Sequence, residues 1–260
     1  MKKKRYCVFG FLAAAVLAAI SASPFVYVLL QSFKGDFGRF TLLGYYDVYI
    51  ATPDYLDRFL ISLALCAVIV VGQLIVSVLG GYGFAKCRFP GRQFLFFVLM
   101  MVMILPLQVT LVPNYITLDE MQLLNTYAAL ILPMIFAPLG TFIMTQSFKA
   151  VPDVILEAAR LDGANLFQIL IRVLVPMNLS GVVCTALLCF LDGWNMVEQP
   201  ITYLKDMAKY PISVALAYMP PTRAVIQLVC CGLVILPPLF LFTYFNTELI
   251  EGITLAEVKE

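Results

Sequence analysis

Six long apolar runs leave this chain few folds to adopt. They lie near residues 7–30, 60–85, 94–113, 127–148, 173–192 and 224–245. Each approaches the roughly 20 residues that an α-helix needs to cross ~30 Å of hydrocarbon. None alternates apolar and polar residues, the mark of a membrane β-strand, so the backbone must satisfy itself as helix. The chain is 62% hydrophobic and 13% charged, against about half and about a quarter in soluble domains. The expected fold is all-α: one transmembrane domain over residues 1–260 with six spans in a lipid bilayer and little soluble mass.

The loops between the runs carry the charge, and Lys and Arg mark the cytoplasmic side. Lys2 to Arg5, Lys86, Arg88, Arg92, Lys149, Arg160, Arg172 and Lys259 fall on one side, eleven in all. The opposite loops hold six: Lys34, Arg39, Arg58, Lys205, Lys209 and Arg223. Both termini and the polar segment 150–172 are therefore expected in the cytoplasm. The Lys-rich start, apolar core and Ser21-Ala22-Ser23 also fit a secretory signal. Yet Pro24 would hinder cleavage there and the run continues to Leu30, so a retained first span is the reading adopted.

What the sequence lacks narrows the function. There is no histidine, the commonest general base and a frequent metal ligand. The seven cysteines (Cys7, Cys66, Cys87, Cys184, Cys189, Cys230 and Cys231) show no CxxC spacing and read as small buried hydrophobes. No catalytic or metal-binding residue is expected. Ion-coupled carriers keep ionisable groups at membrane depth, whereas here only Asp192 comes near. No GxxxxGK[ST] motif is present, so any ATPase is a separate polypeptide. A net charge of +1 argues against nucleic acid as a partner.

Glycine and proline interrupt several runs: Gly80-Gly81-Tyr82-Gly83, Pro106, Pro113, Pro133, Pro138 and Pro237-Pro238. Taken singly, each reads as a kink that neighbouring helices tolerate. Taken together, they could also mark broken helices along a pathway.

The polar segment between the fourth and fifth runs has its own local logic. Pro152 suits the start of a helix, where its missing N–H needs no partner. Asp153 favours the positive end of the helix dipole. Asp162-Gly163 ends the helix, with Gly163 free to take a positive φ. Asn165 can cap a second helix with Gln168 as its capping-box partner. Pro176 then stands near entry to the fifth span. An amphipathic hairpin lying on the membrane is the rival reading.

Within that segment Glu157-Ala158-Ala159, then Gly163, then Val173-Leu174-Val175-Pro176, resemble the EAA loop of binding-protein-dependent ABC importer permeases. Val173 and Val175 stand where Ile and Leu are usual. The likeness extends to Gln31-Ser32-Phe33-Lys34, Gly81 to Phe89, Pro106, Val112-Pro113, Leu124 to Tyr127, Gly193-Trp194-Asn195, and Gly252-Ile253-Thr254 with Val258-Lys259. Together these elements resemble the MalG-type permeases of the carbohydrate-uptake branch. Asp192 before Gly193, and Ala256-Glu257 before Val258, depart from that pattern.

The resemblance implies a non-enzymatic subunit of a bacterial inner or plasma membrane complex. Its partners would be a second, MalF-type permease, two cytosolic ABC ATPase subunits and an extracytoplasmic solute-binding protein. ATP and Mg would reside on the ATPases, with no cofactor on this chain. Glu157, Ala158, Ala159, Asp162, Gly163, Ala164 and Pro176 would couple to the ATPase. Ala158 and Ala159 would give it a flat face and Glu157 a carboxylate. Trp194, Asn195, Glu198 and Gln199, within the outer segment 194–219, would meet the binding protein. In the tail of about 246–260, Glu251, Gly252 and Lys259 would reach the ATPase interface. The cargo would be a sugar or oligosaccharide, or another solute such as glycerol phosphate. An ion-coupled carrier would need buried charges, and a membrane enzyme a cluster of His, Asp or Cys.

Overall fold

The computed structural model describes residues 2–34, 40–51, 54–219 and 224–257. Helices carry these residues, and no named strand occurs among them. The main elements are α1 (Lys2–Ser32), α2 (Asp54–Lys86), α3 (Arg92–Ile104), α4 (Leu107–Glu120), α5 (Ala128–Ile135) and α6 (Pro138–Lys149). They are followed by α7 (Asp153–Leu161), α8 (Leu166–Ile169), α9 (Leu179–Trp194), α10 (Glu198–Tyr203), α11 (Ala224–Tyr244) and α12 (Asn246–Glu257). Four stretches are long and apolar enough to cross a membrane unbent: Ala14–Ser32, Asp54–Lys86, Ala128–Lys149 and Val225–Tyr244. The stretch Ala128–Lys149 joins α5 and α6 across a short break at Phe136 and Ala137.

The third and fifth runs are bent rather than straight. The α3–α4 pair turns by 105° at Leu105-Pro106. Leu105 takes φ −64 and ψ 130, the extended state that a following proline imposes. In the fifth run, Leu166–Met177 meets α9 at 85°. The break falls at Asn178, whose Nδ2 donates to the Leu174 carbonyl at 2.8 Å. The count reaches six only if each bent pair makes one crossing.

The glycine-rich stretch does not interrupt its helix, contrary to the sequence expectation. Helix α2 runs unbroken through Gly80 to Gly83. Gly80 and Gly81 instead bring α6 close, because a Cβ on them would stand 2.9 Å from the Thr141 Cγ2 and 2.6 Å from the Met144 Cβ, respectively. Small residues at a crossing are how membrane helices gain contact when lipid is as apolar as the helices themselves. Helix α6 thus packs on α2, with α9 against both, and α1 lies along α11. A buried cluster around Leu65, Ile69, Leu130, Cys189 and Tyr203 ties α2, α5, α9 and α10 together on one side of the bundle.

Candidate functional site

At the other side, Lys86 in the last turn of α2 holds the polar segment. Its side chain is 6% exposed. Its Nζ donates to the Val151 carbonyl at 2.6 Å and to Asp153 Oδ1 at 2.7 Å. Asp153 opens α7, where a carboxylate suits the helix dipole. The Lys86 hydrogen bond and charge hold the Asp153 carboxyl below the usual carboxylate range, with Arg88 and Arg160 adding to the field. A lowered carboxylate pKa contributes stability above the unfolded value and loses it as pH falls through the lowered one. The tether is therefore intact at neutral pH and weakens as pH falls through that lowered value. Lys86→Met should free α7 while sparing membrane insertion. Thiol labelling of a Leu156→Cys probe on α7 should rise about tenfold, the scale expected for loss of a charge-assisted hydrogen bond.

Helix α7 has two faces. Leu156 is buried, and Ile155 and Ala159 are half-buried, against Tyr82, Met144, Phe148, Ile169 and Leu174. Val154, Ala158 and Leu161 recur at the i, i+4, i+7 spacing of one helical stripe and point outward. Leu161 is 89% exposed and Val154 72%. Beyond the turn, Leu166 and Phe167 are also exposed. The flat face expected from Ala158 and Ala159 is thus corrected: Ala158 and Glu157 face out, while Ala159 and Ala164 pack inward. Val154, Leu161, Leu166 and Phe167 were missed in the sequence, although apolar residues at helical spacing in a charged loop were a signal.

The turn is closed by backbone bonds from Gly163 N to Arg160 O and from Ala164 N to Ala159 O, both 3.0 Å. Gly163 has φ +82, and a Cβ there would meet nothing within 4 Å. Asn165 and Gln168 form the expected capping box, with bonds of 2.8 and 2.9 Å. Pro176 is exposed just ahead of the bend at Asn178. The result is a rigid helix–turn–helix with an apolar outer face, tied at one end to a membrane span.

A second feature lies where the breaks of the third and fourth runs meet the end of the fifth. An open cavity of about 1060 Å³ is lined by Leu105 and Leu107 of the third run, Pro133, Phe136 and Pro138 of the fourth, and Asp192 of the fifth. Asn114, Asn195, Glu198 and Gln199 complete its polar wall. Glu198 Oε1 accepts from Gln108 Nε2 at 3.0 Å. Two of the prolines that seemed separate kinks, Pro133 and Pro138, thus line one concavity, with Pro106 between its lining residues Leu105 and Leu107.

Two expected contact residues are placed elsewhere. Trp194 is 2% exposed, so it does not face a partner. Its ring packs edge-on to Phe59 and stacks on Phe190, and its Nε1 donates to the Val234 carbonyl at 3.0 Å. Gly252 is buried where α12 crosses α9, and a Cβ there would collide with Cys184. Lys259 and the side chain of Glu251 lie outside the described residues. The segment after α10 is pinned by Asn125. Its Oδ1 accepts from the backbone N–H groups of Lys205 and Asp206, each at 3.1 Å, and its carbonyl accepts from Lys209 Nζ at 2.7 Å. Among the described residues, no group of three or more His, Cys, Asp or Glu is placed to hold a metal.

Comparison with known proteins converges on one family. The family described as "Binding-protein-dependent transport system inner membrane component" matches residues 73–251. The arabinooligosaccharides transport system permease protein AraQ of Halalkalibacterium halodurans is 29% identical over 278 aligned residues, covering 100% of both chains. The sn-glycerol-3-phosphate transport system permease protein UgpE of Brucella melitensis is 26% identical, covering 75% of this chain and 71% of that one. Among solved structures, a bacterial ABC transporter involved in the import of the acidic polysaccharide alginate shares the fold. Its TM-score is 0.86 at 18% identity, covering 95% of this chain and 97% of the other.

Proposed function

We propose that this chain, which belongs to the binding-protein-dependent transport system inner membrane component family, is the sugar-conducting permease of an ATP-driven importer. It is a multi-pass membrane transport subunit and not itself an enzyme. The observation that carries the reading is the α7–α8 pair. Its Val154, Ala158, Leu161 and Phe167 face is apolar, exposed and rigidly held. An apolar patch of this kind on a polar loop calls for a partner. The partner is a cytosolic ATPase, with Glu157 at the patch edge offering a carboxylate to a donor there. Movement of that ATPase would pass through α7 to Lys86 and α2, and through α8 to α9.

In this reading both termini are cytoplasmic and the chain makes six crossings, as the distribution of Lys and Arg supports. A second permease completes the pathway. Asn195, Glu198 and Gln199 stand at the cavity, where a binding protein would hand over cargo. The arabinooligosaccharide relative matches this chain from end to end, whereas the glycerol-phosphate relative matches three quarters of it. That difference favours an oligosaccharide. The test is purification of the tagged chain from its own membranes, followed by uptake assays in proteoliposomes. Recovery of an ATPase with ATP-dependent oligosaccharide uptake supports the proposal; recovery without any ATPase refutes it.

A further inference from the structure

We propose that the cavity at the α3–α4 and α5–α6 breaks contains a charge filter. Asp192 and Glu198 admit uncharged or cationic sugars and disfavour anionic cargo such as phosphate esters or uronic-acid oligomers. This rests on reading the cavity as part of the transport pathway. The lining side chains include these two carboxylates and no Lys or Arg. Asp192 is exposed, and the one ion pair within 4 Å among the described residues, Lys86–Asp153, does not involve the cavity. Glu198 accepts from the neutral amide of Gln108, which orients the carboxylate without cancelling its charge.

Two cations on this side of the molecule, Lys209 and Arg58, are engaged by backbone carbonyls. Lys209 donates to the Asn125 carbonyl, and Arg58 donates to the carbonyls of Met207 at 2.8 Å and Tyr210 at 3.2 Å. Leu105, Pro133 and Phe136 supply apolar walls. Charges of one sign within low-dielectric walls focus the field into the opening and raise or lower local ligand concentration by tenfold or more. The remaining polar wall, Asn114, Asn195 and Gln199, is made of neutral amides able to donate and accept with sugar hydroxyls. An anion entering here would lose hydration and gain no cationic partner. A neutral sugar meets no such penalty.

The experiment adds one thiol, Asn195→Cys, to the complete complex, with the complex lacking that substitution as the blank for the native cysteines. Reaction rates with cationic and anionic methanethiosulfonates of similar size are compared after correction for their rates with a free thiol. At low salt the cationic reagent should react about tenfold faster. The ratio should fall toward one in Asp192→Asn with Glu198→Gln, and on adding salt at ~1 M. A ratio near one in the Asn195→Cys complex, or one that salt leaves unchanged, overturns the filter, and salt provides this check even if the double variant fails to assemble. A ratio unchanged in an assembled double variant overturns it too. Uptake of a neutral arabino-oligosaccharide by the wild-type complex is measured in parallel. If that uptake is absent while the ratio is high, the transport reading fails and the electrostatic one stands.

Discussion

Val154→Asp combined with Leu161→Asp should strip the ATPase from the complex while leaving the permease folded. Both side chains are exposed on α7, so no buried contact is lost within this chain. At the proposed interface each would bury a charge without a partner, which is costly. Even one uncompensated charge buried at an interface costs about 3 kcal/mol or more. The co-purified ATPase should therefore drop by about 30-fold or more, with the helical signal and membrane yield unchanged. The conservative pair Val154→Ile and Leu161→Met should retain attachment. Wild-type ATPase recovery in the aspartate pair would remove α7 from the interface.

Gly163→Val should uncouple transport even where the complex assembles. At φ +82 a residue with a Cβ carries a conformational cost of about 1–2 kcal/mol. No atom stands within 4 Å of the added Cβ, so that cost is conformational and not a clash. Relieving it would rotate α8 relative to α7 and misdirect the apolar face. Gly163→Asn should behave nearly as wild type, because Asn tolerates the left-handed region. Glu157→Lys, on the outer face of α7, should weaken attachment by charge reversal and Glu157→Gln only slightly. Uptake per ATP hydrolysed, normalised to assembled complex, separates the variants. Equal coupling in Gly163→Val and Gly163→Asn would mean that the turn only caps helices.

The parts of this architecture that depend on near neighbours were legible in the sequence. Pro152 stands at the N-cap of α7, Asn165 and Gln168 form a reciprocal cap, and Gly163 has a positive φ. Each follows from hydrogen bonds within a few residues. The apolar runs likewise announced their helices, because lipid leaves the backbone no other partner.

The parts that depend on distant neighbours were not legible. Gly80 to Gly83 read as an interruption, because the partner that uses the small size of Gly80 and Gly81, α6, comes some sixty residues later. Trp194 read as a contact residue, yet its ring is claimed by Phe59 and Phe190 and its N–H by the Val234 carbonyl. The cavity combines the breaks of two runs with the end of a third, none of which identifies the others. Even the α7 face divides by packing: Ala159 is taken by the inner cluster and Ala158 is left for the outer stripe.

The central claim is that the outer face of α7 meets an ATPase rather than the lipid surface. A photo-crosslinking side chain placed at Leu161 and, separately, at buried Leu156 tests it in the intact membrane. The prediction is a covalent adduct from position 161 with a nucleotide-hydrolysing subunit, its yield changing when ATP is added, and no such adduct from position 156. Adducts from position 161 with lipid alone would contradict the account and make the segment an interfacial hairpin.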